Sequence, residues 1–422
     1  MYQAAMAESW GCRAAAPRMC GKIALKMSRD SAPAAPGNSP LPRPLSLFHI
    51  LAIVLLWNCG YKGTRVANTL YALELGAGPL DTGLLLAVYG LLPLLLAIHI
   101  GKIGDRYGVR LPVVAGTVIS ALGILLPWWW PVYPMLFLSA AVSGAGFILV
   151  QVSVQSLVGS LGSGSARTHN LNLYALAVAM SDLIGPVFAG FSIDHFGHVR
   201  TYLHLALPTV ASVCVLVFLA HRLPHHATGG MDRGSQRMMD LFRSPNLRRM
   251  LVTSALVMGG LDLFQLYLPI YGHAIALPAS AIGLVMGAFA AAAFVTRVLL
   301  PALVRRFGEA AALRYAMFLA AGTFFLIPMF ESAVVLGVIC FVLGLGMGLG
   351  QPLTVILTYN YSPAGRHGEG LGLRIAINNS MHVTVPAIFG AVGSLLGLAP
   401  VFWASSAMLA AGGYAARARK PA

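Results

Sequence analysis

Inside stretches otherwise apolar enough to cross a bilayer stand a few ionisable side chains, and through these the sequence could do chemistry. Asn58, Lys62, Arg65 and Thr69 step by four, three and four residues, which aligns them along one helix face. Arg374, Asn378 and His382 step by four and share another face, while Asp182 and Asp262 supply carboxylates. A charge at membrane depth costs at least ~2.5 kcal/mol, so such groups face a cavity or a partner. Gln151, Gln155, Gln265, Gln351 and Thr354 add neutral donors and acceptors. Residues of these types bind a charged solute or carry protons; they do not form a bond-breaking site. No Ser/His/Asp or H-E-x-x-H pattern stands in a supporting context, so no enzymatic activity is expected. The glycine series from Gly344 to Gly350 has neither a preceding strand nor a following Lys-Ser/Thr, which fits helix packing and not a phosphate loop. Cys12, Cys20, Cys59, Cys214 and Cys340 are scattered, so neither a disulfide nor a zinc site is expected, and no cofactor.

The elements that position these residues follow from composition. Of 422 residues, 58% are hydrophobic and 10% charged, and the mean hydropathy is +0.77. Soluble domains are near one quarter charged, which excludes a soluble enzyme. A net charge of +15 would suggest nucleic acid in a soluble chain. Here the excess sits in loops and tails, where the positive-inside rule accounts for it, and nucleic acid is not an expected partner. Apolar runs predict twelve helices, near 45–73, 80–100, 111–130, 133–158, 168–191, 201–220, 248–272, 279–303, 311–328, 333–358, 368–392 and 397–416. The fold class is an all-α polytopic membrane protein of two pseudo-symmetric six-helix bundles, 45–220 and 248–416, joined by a cytosolic linker, 221–247. Residues 1–44 read as a disordered cytosolic tail, with Met27 as an alternative start, and 417–422 as a second tail. Lys102, Arg106, Arg110, Arg167, Arg305, Arg306 and Arg366 fall on one side and Arg200 alone on the other, which puts both termini in the cytosol. The Trp128–Trp129–Trp130 run reads as an interfacial belt.

An offset of 200 residues superposes Tyr71 on Tyr271, Gly83 on Gly283, Arg106 on Arg306, Gly108 on Gly308, Gly144 on Gly344, Gly146 on Gly346, Gln151 on Gln351, Pro186 on Pro386 and Gly190 on Gly390, a duplication. Gly101 to Arg110 reads GKIGDRYGVR, a tight turn using the backbone freedom of Gly101, Gly104 and Gly108, with Asp105 able to face a helix N-terminus. With its degenerate copy at Arg305-Arg306-Phe307-Gly308, this loop resembles the signature of the major facilitator superfamily. The resemblance covers about residues 45–416. It implies a secondary transporter that rocks two halves about a central site, with helices 1, 4, 7 and 10 lining the cavity. It also implies a cytoplasmic latch formed by Gly101, Gly104, Asp105, Arg106, Gly108 and Arg110. Gly185, Pro186 and Gly190 on helix 5 are similar to a motif that the family associates with exporters. Helix 4 lacks the membrane arginine typical of the family's drug antiporters.

The duplication places Lys62 and Asp262 at one depth, which predicts a salt bridge between them across the cavity. Asp182, with no basic neighbour on its own helix, is then the better proton carrier. Asp262 becomes the substrate-linked switch, with His382 a further candidate for proton coupling. Arg297, near the inner surface, reads as snorkelling. Asn58, Lys62, Arg65, Gln151, Gln155, Asp262, Gln265, Gln351, Thr354, Arg374 and Asn378 form the expected substrate set. Three cations (Lys62, Arg65 and Arg374) against two carboxylates favour a small anionic or zwitterionic solute. The reading is proton-coupled efflux by a monomer in the bacterial inner membrane, its partners being solute, protons or another coupling ion, and lipid. A multidrug/proton antiporter, a proton-coupled importer and a non-transporting sensor on the same scaffold are the alternatives.

Overall fold

Twelve α-helices make up almost all of the residues described by the computed structural model, which are 47–107, 109–161, 165–219, 244–363 and 367–416. They are α1 (Leu47–Glu74), α2 (Pro79–Tyr107), α3 (Arg110–Trp129), α4 (Tyr133–Ser160), α5 (Ser165–Phe196), α6 (His198–Leu219), α7 (Pro245–Ala274), α8 (Ala279–Phe307), α9 (Glu309–Leu326), α10 (Ala333–Tyr361), α11 (His367–Leu396) and α12 (Leu398–Ala415). Among the described residues, nine helices are long and apolar enough to span a membrane. The expected tails and most of the expected linker lie outside the described residues.

Several helices outrun their expected limits, because each residue added to a formed helix gains one backbone hydrogen bond even past the last apolar residue. Thus α2 continues through Gly101, Gly104, Asp105 and Arg106 to Tyr107, where a tight turn is expected from the sequence. Gly101 and Gly104 are helical, Gly108 lies outside the described residues, and so do the side chains of Asp105 and Arg106. In the second half the matching turn falls at Gly308, whose φ of 77° suits a residue without a Cβ. The proline that starts α2 and that which starts α7 occupy first-turn positions, where a missing N–H costs nothing.

The duplication is visible in matching contacts. Tyr71 Oη donates to the Pro131 carbonyl at 3.2 Å, and Tyr271 Oη donates to the Phe330 carbonyl at 3.0 Å. The halves meet along two seams, α5 on α8 and α2 on α11, at the end opposite the one where Leu47 and Ala415 lie. A Cβ on Gly283 would stand 2.6 Å from the Pro186 carbonyl oxygen, and one on Gly390 would stand 3.0 Å from that of Pro79. Gly190 abuts Ala279 and Gly83 abuts Pro386, so the residues repeated at the offset of 200 are those that let the two backbones touch. One apolar core, with Tyr71, Leu85, Tyr202, Phe264, Phe289 and Phe402, runs through both halves. Toward the termini the first half has a separate core around Trp57, Val113, Val150 and Leu216.

Candidate functional site

Close approach of α1 and α5 builds the charged wall. A Cβ on Gly185 would stand 2.8 Å from the Cys59 carbonyl oxygen and 3.0 Å from the Gly63 nitrogen, so only a glycine pair allows this crossing. Asp182 stands one turn before Gly185, and its Oδ1 lies 2.8 Å from Lys62 Nζ. Ser181 Oγ adds a bond to the Leu55 carbonyl at 3.2 Å. The partner of Lys62 is therefore Asp182 and not Asp262, and Asp182 is not without a base. Asp262 bonds instead to His382, with Oδ1 and Nδ1 2.8 Å apart. The duplication explains the correction. Residues 62 and 182 correspond at the offset of 200 to 262 and 382, so the α1–α5 pair recurs as an α7–α11 pair with acid and base exchanged. Two equivalent residues touch one another only on the pseudo-twofold axis; away from it, each repeats the same contact inside its own half.

Arg65, one turn beyond Lys62, lies over the Tyr89 ring at 5.6 Å, and its Nε has no hydrogen-bond partner among the described residues. Tyr89 accepts a bond of 2.8 Å from Asn68 Nδ2, which fixes the ring under the guanidinium. Among the described residues the ion pairs are Lys62–Asp182, His198–Glu74 and His382–Asp262, so Arg65, Arg297 and Arg374 pair with no carboxylate.

A cavity of about 880 Å³, counted with its space open to solvent, lies between the halves. Within it, the room open to the centre of a water molecule is about 100 Å³. Lys62, Arg65, Asp182, Arg297, Gln265 and Gln351 are its polar lining. Phe264 and Phe289, stacked at 4.1 Å, form the apolar wall with Met286 and Met347. Arg297 is a cavity residue and does not simply snorkel, because its Nη1 reaches across the seam to the Ala175 carbonyl of α5 at 3.4 Å.

Other expected site residues lie outside this lining. Asp262 is 2% exposed and Arg374 6% exposed, both packed within the second half. Arg374 donates through Nη2 to Gln351 Oε1 at 3.0 Å and to Thr354 Oγ1 at 3.1 Å. Asn378 accepts from Ser254 Oγ at 3.1 Å, and Asn58 is buried with its Oδ1 unbonded among the described residues. Gln155 is exposed and bonds Tyr174, and Gln151 is half-buried. Lys62, Arg65, Asp182, Gln265 and Gln351 thus converge, and the three-to-two charge count becomes three cations (Lys62, Arg65 and Arg297) to one carboxylate.

Sequence reasoning passes over one contact between the halves. Asp194, near the end of α5, accepts from the backbone nitrogens of Ala279 at 3.0 Å and Ser280 at 2.8 Å. A carboxylate from the first half therefore caps the N-terminus of α8 in the second, where its charge opposes the helix dipole.

Two repeated helical halves around a charged and aromatic cavity define a polytopic membrane carrier. The Major Facilitator Superfamily model matches residues 50–386, and the chain belongs to that family: it is a multi-pass integral membrane transporter and not an enzyme. Multidrug resistance protein 1 of Bacillus subtilis (strain 168) is 23% identical over 324 residues, covering 76% of this chain and 81% of that one. The solved nucleoside transporter NupG superposes with a TM-score of 0.72 at 12% identity, covering 88% of this chain and 98% of that one. A POT family transporter in complex with 5-aminolevulinic acid superposes at 0.74 with 13% identity, covering 88% and 95%.

Proposed function

We propose that this transporter moves a small organic anion or zwitterion with an apolar body through the central cavity by alternating access. The observation that carries the reading is the cavity's asymmetry, with three cations and one carboxylate facing a wall of Phe264, Phe289, Met286 and Met347. An oxyanion meets the Arg65 guanidinium, which lines the cavity without a carboxylate partner among the described residues, while the apolar body lies on the aromatic pair. The closed seams at the end opposite the termini support a conformer open toward the terminal side. With termini cytosolic, by the arginine asymmetry, that conformer loads from the cytosol. Proton-coupled efflux by a monomer in a bacterial inner membrane is the corresponding physiology.

The exchange of partners also exchanges the two aspartates' roles. Asp182 shares Lys62 with the cavity, so an entering anion competes with it for that ammonium, and it is the substrate-linked group. Asp262 is buried, its Oδ2 is unbonded among the described residues, and its partner His382 can itself take up or release a proton. The Asp262–His382 pair is the proton site in this reading.

A multidrug reading draws on the Bacillus relative and on the Met and Phe wall, since such surfaces repack around varied ligands. Thermal-shift screening of the full-length purified protein against aromatic carboxylates, zwitterions and lipophilic cations separates the two, because a ligand stabilises the state it binds. Stabilisation by carboxylates, abolished in Arg65→Gln, is expected. Stabilisation by lipophilic cations alone would transfer the case to the multidrug reading.

A further inference from the structure

Arg374 is a buried cation at membrane depth that faces neither lipid nor the cavity and has no carboxylate partner among the described residues. Its Nη2 meets Gln351 Oε1 at 3.0 Å, Thr354 Oγ1 at 3.1 Å and the Gln351 carbonyl at 3.4 Å. Thr354 Oγ1 in turn donates to the Gln351 carbonyl at 2.9 Å, which ties both side chains to one turn of α10.

A guanidinium carries donors only, so the Gln351 oxygen is committed as its acceptor. The amide cannot flip, because a flip would set two N–H groups against two others. Its Nε2 must therefore point away from Arg374. There it meets Met258 Sδ at 3.2 Å, a weak acceptor, and the cavity that Gln351 lines. At the cavity an unrestrained glutamine would serve donors and acceptors alike, whereas this one presents N–H alone.

We propose that Arg374 is a positioning residue that locks Gln351 as a dedicated donor, and that this lock sets the transporter's preference for carboxylate-type substrates over their neutral amides. The proposal rests on the anionic reading of the cavity and names the device that sharpens it. With the lock in place, the donors of Lys62, Arg65, Arg297 and Gln351 surround the site, and its one carboxylate is occupied by Lys62. A carboxylate satisfies such donors at both oxygens. A primary amide directs its own N–H₂ against one of them and loses a hydrogen bond of the charged type, on the order of tenfold or more in affinity.

The test uses the full-length purified transporter and matched probes, indole-3-acetate with indole-3-acetamide and benzoate with benzamide, titrated by calorimetry. In the wild type the carboxylate of each pair should bind at least about tenfold more tightly than the amide. In Arg374→Gln the amide of residue 351 is free to turn, and the ratio should fall toward one, mainly because the amide probes bind better. Arg374→Lys, which keeps a donor-only group, should retain part of the ratio. Gln351→Glu keeps its contact with Arg374 but turns an acceptor toward the cavity, so carboxylate binding should drop by about tenfold or more while the protein stays folded. This second variant carries the test if Arg374→Gln does not fold. An unchanged ratio in Arg374→Gln, or undiminished carboxylate binding in Gln351→Glu, would overturn the lock. A wild type that binds amides as well as carboxylates would overturn the anionic reading itself, and the lock with it.

Discussion

Adding one methyl group at a seam should change which way the transporter faces. In Gly283→Ala the new Cβ would stand 2.6 Å from the Pro186 carbonyl oxygen, about 0.8 Å inside ordinary contact at 3.4 Å. It would also stand 3.2 Å from Val187 Cα, so the obstacle is backbone and cannot rotate away as a side-chain tip could. Overpacking of this kind costs about 1–3 kcal/mol. The cost falls only on the conformer in which α5 and α8 touch, so the balance between conformers should move by about 5- to 150-fold toward the one with this end open. Spin labels at Val132 and Ser332, exposed residues related by the repeat on opposite halves, report the separation by double electron–electron resonance. The long-distance population should grow in Gly283→Ala and stay unchanged in Gly322→Ala, where a Cβ meets nothing within 4 Å. Identical distance distributions in folded Gly283→Ala and wild type would refute the idea that this seam opens.

Asp194→Asn keeps the shape of the cap on α8 but removes its charge, worth about 0.3–2 kcal/mol at a helix N-terminus, so the same labels should show a shift of about 2- to 30-fold in the same direction. Arg65→Gln should weaken carboxylate binding by about 10- to 100-fold in calorimetry and neutral analogues far less, since the charge-assisted bonds are lost. Asp262→Asn should abolish accumulation driven by a pH gradient while leaving substrate exchange intact; accumulation that persists would remove the Asp262–His382 pair from coupling. Asp182→Asn should leave Lys62 unpaired and strengthen anion binding, and weaker binding would contradict its role as the substrate's competitor.

Helices, repeat and family were legible because they depend on properties a chain cannot hide: apolar run lengths, a fixed offset, and a charged, glycine-rich signature between two such runs. The charged face of α1 was legible from the spacing of Lys62 and Arg65. What failed was azimuth. Spacing places Lys62 and Asp262 at one depth, but only packing shows that each faces its own half. The correct pairs were within reach, since 182 and 382 obey the same offset as 62 and 262. Arg297 and Arg374 exchanged roles for a related reason, because distance along a helix from the membrane surface does not say which neighbour an arginine meets. Asp194 gives no periodic signal at all, since its function depends on where another half's helix begins.

Flux through the cavity tests the central claim most directly. Wild-type and Arg65→Gln proteins are reconstituted side by side in liposomes, and uptake is followed for the labelled carboxylate that most stabilises the purified transporter. The wild type should show saturable uptake above protein-free liposomes, accelerated by unlabelled substrate inside, with Arg65→Gln reduced by about tenfold or more at low substrate. Uptake no greater than in protein-free liposomes for every anion tried, or equal rates in the two proteins, would contradict transport of anions through this site.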